Sequence, residues 1–187
     1  TREDLAREVP YLVPDQVDLE RLINFRTSGT SGHPLLLASH PLVAAQYLGY
    51  HKGGLQRFGV CLKYGRGQVG VMLLGLQAIC FTYVSITPTQ DDSGLAKINL
   101  HPNDWRSLDD RAKYLQAMQP EVIAGDPISF AELLDIDPQI RPAALLSTSM
   151  TLLPRLRDQL QARFDCPVLD LYSMNEAGPI AVFDARG

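Results

Sequence analysis

Over its second half the chain alternates short apolar runs with amphipathic stretches. Leu108, Ala112, Leu115 and Met118 recur at helical spacing, and Ser107 with Asp110 three residues on comes close to a capping box. Residues 121–124, Glu121 followed by three apolar residues, predict a strand, residues 129–134 a short helix, and residues 143–146 a second strand. Pro154–Phe164 predicts a helix with Leu153, Leu156, Leu160 and Phe164 on one stripe, and residues 168–171 predict a third strand. Such alternation implies an α/β fold, a parallel sheet with helices packed on it.

The first half is less regular. Ile23–Arg26 alternates as a strand does, and residues 35–37 suggest a second strand, the two forming a hairpin-like pair around a loop at residues 27–32. Residues 43–58 predict a helix that Gly53-Gly54 breaks. Residues 68–74 and 81–86 predict buried strands. Residues 87–103, rich in Asp, Pro, Ser and Asn, predict a long surface loop. Residues 1–22 are charged and read as an arm or linker, and residues 23–187 as the core domain.

Ligands of parallel sheets bind outside the carboxyl ends of the strands. Here those ends are predicted at Gly125-Asp126-Pro127, at Ser147-Thr148-Ser149, and at Tyr172-Ser173-Met174-Asn175-Glu176. All three are small or polar, and they are expected side by side.

Composition narrows the choice. The 187 residues suffice for one core or one lobe of something larger. Apolar residues make up 45% and charged residues 20%, as in ordinary globular domains. A net charge of −4 and a pI of about 5.5 exclude a basic footprint for nucleic acid. Cys61, Cys80 and Cys166 are far apart and form no CxxC pair, which fits a reducing cytoplasm. His33, His40, His51 and His101 make no compact ligand set with them, which argues against structural zinc. The most apolar stretch, residues 69–81, is far shorter than the roughly 20 residues a membrane span needs, so no membrane partner is expected. The charged start with no apolar run behind it predicts no secretory signal.

The strongest chemical signal is Thr27, Ser28, Gly29, Thr30, Ser31 and Gly32: four hydroxyls and two glycines in six positions. Glycines let backbone approach a ligand closely, while N–H groups and hydroxyls donate to phosphate oxygens. No Gly-Lys-Ser/Thr closes the segment, so it is not a Walker A loop. Composition alone leaves a plain Ser/Gly turn equally open.

With His33-Pro34 appended, this segment resembles the phosphate loop of the adenylate-forming superfamily, which includes acyl-CoA synthetases, adenylation domains and firefly luciferase. His33 and Leu35 stand where members of that family carry Lys. Residues 171–176 are similar to the family's Tyr-Gly-x-Thr-Glu motif. The resemblance implies that Tyr172 stacks on adenine, that Asn175 takes the place of the Thr contacting the α-phosphate, and that Glu176 helps hold Mg²⁺. Residues 123–129 look like the Gly-Thr-Pro-Ser segment of phenylacetate-CoA ligase relatives. Residues 147–157 look like their Gly-Gly-Glu-Pro-Leu-x-Pro-Glu-Leu-Arg segment: Leu152, Pro154, Leu156 and Arg157 match, Ser149 falls among the nucleotide contacts, and Met150 replaces the Glu.

The resemblance implies the parallel-sheet-rich layered core of the N-terminal domain of such an enzyme. The implied activity is ATP- and Mg²⁺-dependent activation of a small-molecule carboxylic acid, an aromatic one favoured, followed by thioester formation with CoA. The catalytic roles fall on Glu176 and Asn175. The family's ribose-binding Asp and its C-terminal lid with a catalytic Lys have no counterpart in these residues, so the chain is expected to be a portion of a longer ligase that works with that lid. The alternatives are a non-catalytic nucleotide-binding module and an adenylating enzyme that loads a carrier protein in natural-product assembly.

Overall fold

Strands whose side chains are apolar on both faces must be covered on both faces, and this requirement organises the chain. A computed structural model describes residue 4 and residues 13–26, 36–63, 65–80, 82–174 and 177–184. Its elements run β1 (Ile23–Arg26), β2 (Leu36–Ser39), α1 (Pro41–Arg57), β3 (Val69–Gly75), β4 (Tyr83–Thr87) and β5 (Ser93–Asn99). They continue with α2 (Asp109–Met118), β6 (Val122–Gly125), α3 (Pro127–Ile136), β7 (Ala144–Ser147), α4 (Pro154–Phe164), β8 (Val168–Met174) and β9 (Gly178–Phe183). The fold class is the expected α/β one. The described residues fall into two compact units, one within residues 1–54 and 173–180, the other within residues 55–172 and 181–187.

In the first unit β1 and β2 pair antiparallel, from Ile23 opposite Ser39 to Arg26 opposite Leu36, as the alternating pattern predicts. Gly178 belongs to the same unit. Its φ is +72°, and a Cβ there would lie 2.5 Å from Cε1 of Tyr47, so this close approach excludes any side chain.

The second unit contains most of a seven-stranded sheet of order β4-β5-β3-β6-β7-β8-β9. The strands β5, β3, β6, β7 and β8 pair parallel, while β4 is antiparallel to β5. Met72, Leu74, Ile98, Ile123 and Leu145 cover one face and pack on Leu115 of α2, Phe130 and Leu133 of α3, and Leu160 and Phe164 of α4. Val122, Ala124, Leu146 and Leu169 cover the other face and pack with Leu55 and Val60. Apolar runs without alternation are what such doubly covered strands require.

Several expectations need correction. Residues 87–103 are not a long surface loop, because β5 runs through them between β4 and β3. Their polar composition misleads: Ser93 and Asn99 are fully buried, and Ala96 and Ile98 lie in the core. Helix α1 continues unbroken through Gly53-Gly54. Two glycines cost roughly 2 kcal/mol relative to alanine, and burial of Leu55 at the next position offsets that. Helix α2 carries no side-chain cap from Ser107; its turn is closed instead by the Asp110 N–H donating to the Ser107 carbonyl at 3.1 Å. On the predicted stripes Leu115 and Leu160 are buried, whereas Leu108 and Leu153 at the starts of their helices are exposed. Strand β9 is not among the expected elements, although its residues 180–183 form a short apolar run.

Two measurements check this packing. Gly178→Ala should cost about 1–3 kcal/mol in urea unfolding, part of it recovered in a Tyr47→Ala background. Full stability of Gly178→Ala would contradict the close approach. Burial, with the charge of Asp165 beside it, pushes the Cys166 thiol up to about 11, whereas Cys61 is exposed. At pH 8 the Cys166 thiolate is therefore scarce, and iodoacetamide should modify Cys61 at least about tenfold faster, a difference that urea abolishes.

Candidate functional site

Register places the carboxyl ends of β6 and β7 in one row with Asp170, inside β8. Gly125 of β6 is opposite Ser147 of β7, and Ser147 is opposite Asp170 of β8. The connections leaving β6 and β7 thus start side by side, whereas β8 runs past the expected strand end at residue 171 to Met174, so Tyr172 lies within the strand, two residues past Asp170.

Each end has its own construction. At β6, a Cβ on Gly125 would come within 3.1 Å of the Leu74 Cβ, so glycine lets the neighbouring strand approach. Asp126 then caps α3, its Oδ1 accepting from the Ser129 N–H at 2.7 Å. At β7 the Thr148 N–H donates to the Gly125 carbonyl at 2.9 Å, which ties the two ends together. The Met150 N–H donates back to the Thr148 carbonyl at 2.8 Å across Ser149, whose φ is +71°. This is a three-residue turn of the rare positive-φ kind, costing about 1–3 kcal/mol at a residue with a side chain. Strain of that sort persists where the surroundings over-determine it, and it clusters at functional positions. The Ser149 hydroxyl lies 3.3 Å from that of Thr148, and both residues sit at the protein surface or near it.

At β8, Tyr172 is 52% exposed, an uncommon state for an aromatic ring on a strand. Ile128, Met150 and Leu153 on the neighbouring connections are exposed too. The edge therefore offers one free aromatic face and several apolar side chains beside hydroxyls and backbone polar groups. A flat heteroaromatic ring with a polar substituent suits such a surface.

Of the residues singled out by sequence, Ser149 lies two residues past the end of β7 and Tyr172 within the neighbouring β8. Thr27, Ser28, Gly29, Thr30, Ser31, Gly32 and His33 lie outside the described residues, as do Asn175 and Glu176. Among the described residues no group of three or more His, Cys, Asp or Glu side chains could hold a metal ion. No described helix is long and apolar enough to cross a membrane.

Sequence reading overlooks one organising residue of this edge. Asn99 ends β5 and is fully buried. Its Nδ2 donates to the Gln77 carbonyl at 2.7 Å and to Asp104 Oδ2 at 2.6 Å. Its Oδ1 accepts from the Gln77 N–H at 3.1 Å and the His101 N–H at 3.3 Å. The Trp105 indole N–H donates to the Asn99 carbonyl at 2.7 Å, and the ring stacks edge-on against Tyr114. One amide thus joins the connection after β3 to the connection after β5. Every polar group of the side chain is satisfied, so its burial carries little penalty. No motif announces it; the only signal is its place after the apolar pair Ala96 and Ile98.

No protein-family profile matches the chain, and no curated protein matches it. Solved structures do. The open conformation of 2-hydroxyisobutyryl-CoA ligase in complex with 2-HIB-AMP and CoA superposes with a TM-score of 0.57 at 14% identity, over 92% of this chain and 41% of the ligase. VinN in complex with L-aspartate gives 0.56 at 16% identity, over 90% and 41%. A luciferase-like enzyme from the nonluminescent mealworm Zophobas morio gives 0.53 at 16% identity, over 91% and 39%. The chain thus spans about two fifths of the length of these structures. At such identities the likeness is one of fold: these structures share the α/β layered core over that part of their length.

Proposed function

We propose that the chain is part of an enzyme that activates a small-molecule carboxylic acid as its acyl-adenylate. The observation that carries this reading is an exposed Tyr172 in the carboxyl half of β8 beside the strand whose end leads into the strained Ser149 turn, in a fold shared with a CoA ligase. Both residues stand where motif resemblance assigns nucleotide contacts.

The division of labour follows from the side chains. Tyr172 offers its ring to adenine. The Ser149 turn presents a hydroxyl and backbone polar groups beside it. Residues 27–32 supply hydroxyls and N–H groups of the kind that hold phosphate oxygens, and Asn175 an amide donor for the α-phosphate. Glu176 is a hard carboxylate, suited to a Mg²⁺ shared with phosphates. In the reaction a carboxylate oxygen bonds to the α-phosphorus of ATP while the bond from that phosphorus to pyrophosphate breaks. Positioning and charge neutralisation are then the protein's contribution. The finer expectation, from the phenylacetate-CoA ligase resemblance, is an aromatic acid with CoA as acceptor; residues 23–187 would be the core portion and residues 1–22 an arm.

A second reading is a nucleotide-binding module without catalysis. It is favoured by His33 and Leu35 where the family carries Lys, and by Met150 where it carries Glu.

Calorimetry separates the roles. Tyr172→Ala should weaken AMP and ATP alike, with or without Mg²⁺, by roughly 1–3 kcal/mol, the value of base–aromatic stacking. Glu176→Gln should weaken chiefly ATP in the presence of Mg²⁺. Equal weakening of metal-free AMP by Glu176→Gln would remove its metal role, and undiminished AMP binding by Tyr172→Ala would remove the adenine site.

A further inference from the structure

We infer that Arg157 is a positioning residue, holding both legs of the β8–β9 pair so that Tyr172 is correctly placed. The inference deepens the nucleotide reading and rests on it for its functional consequence. Arg157 lies in the first turn of α4. Its Nη1 donates to the Asp184 carbonyl at 2.9 Å, just past the last residue of β9. Its Nη2 lies 4.0 Å from Asp170 Oδ2, within β8 and two residues before Tyr172. The two side chains are only 14% and 21% exposed. Asp170 is also opposite Ser147, so the same contact bears on the β7 end from which the Ser149 turn departs.

Stability alone is a poor account of this arrangement. The Nε of Arg157 is buried and has no hydrogen-bond partner among the described residues, and the contact with Asp170 is longer than a hydrogen bond. Burying a cation so incompletely satisfied costs free energy that an apolar side chain of the same volume would not. What a planar, branched cation supplies and an apolar chain lacks is simultaneous reach to two separate strands. Tyr172, by contrast, is half exposed and has little packing of its own to hold it. Its placement must therefore come from the strand on which it stands, and Arg157 bears on that strand through the Asp170 side chain and on its neighbour through the Asp184 carbonyl.

The test compares Arg157→Met, Arg157→Lys and Asp170→Asn with Leu160→Ala, which damages the α4 core without touching the grip. In the ligand-free chain, Arg157→Met should speed amide exchange of Leu171, Tyr172, Val182 and Phe183 about tenfold while leaving Ile123 and Leu145 within about twofold. Arg157→Lys should restore only part of the protection. AMP should bind about tenfold more weakly to Arg157→Met than to the native chain, but less than about twofold more weakly when both carry Tyr172→Ala, because the effect acts through that ring. A structural role would weaken binding equally in both backgrounds. The inference is overturned if exchange at β8 and β9 does not change, if it rises in step with Ile123 and Leu145 as in Leu160→Ala, or if the two AMP losses are equal. Should Arg157→Met not fold, Asp170→Asn decides by the same readings. Should the native chain bind no AMP, the nucleotide reading falls, while the exchange pattern still decides whether Arg157 holds the strands.

Discussion

Parallel pairing is the constraint on which the rest of the second unit depends. Neighbouring strands that run the same way cannot be joined by tight turns, so the chain must cross over between them. From β5 onward each crossover is a helix, α2, α3 or α4, and all three pack on the face formed by Met72, Leu74, Ile123 and Leu145. One consequence is a core apolar on both sides of the sheet. The other is geometric: every parallel strand ends at the same edge. The groups freed there from ladder hydrogen bonds must find other partners, and the side chains that supply them determine what the edge can bind.

Those side chains divide into groups that are occupied and groups that are free. Asn99 uses all its hydrogen-bonding capacity to join two connections. Asp126 uses an oxygen to cap α3. Arg157 engages β8 and the residue after β9. These groups fix the edge and leave little for a ligand. Tyr172, Thr148 and Ser149 remain, with the backbone at Ser149 held in a strained turn. A rigid frame carrying a few uncommitted polar groups and one free ring is the composition expected of a binding site.

Legibility in sequence followed local physics. The alternation from residue 107 to residue 171 was readable because each apolar run is short, each helix has its own stripe, and proline opens α3 and α4. Pro154–Phe164 matches its helix residue for residue. Strand β5 was hidden because its ends, Ser93 and Asn99, are polar residues buried through tertiary contacts that no local pattern encodes. Helix α1 survives Gly53-Gly54 for a similar reason: burial of Leu55 outweighs a weak propensity. Strand β9 starts at a glycine with positive φ and draws its partner from β8. Of the site, Ser149 was legible as lying at a strand end, whereas Tyr172, expected just past a strand end, lies within β8, which runs on to Met174. Asn99 and the partners of Arg157 were not, because their roles depend on residues brought together only by the sheet.

The central claim is that nucleotide binds at the carboxyl edge between β7 and β8. An amide NMR titration of the chain with AMP tests it most directly. The account predicts that the first and largest shifts fall on residues 148–150, just past β7, and 171–173, in the carboxyl half of β8. Leading shifts at the opposite edge, near Glu121 and Val168 where β6 and β8 begin, would contradict it, as would no response at all.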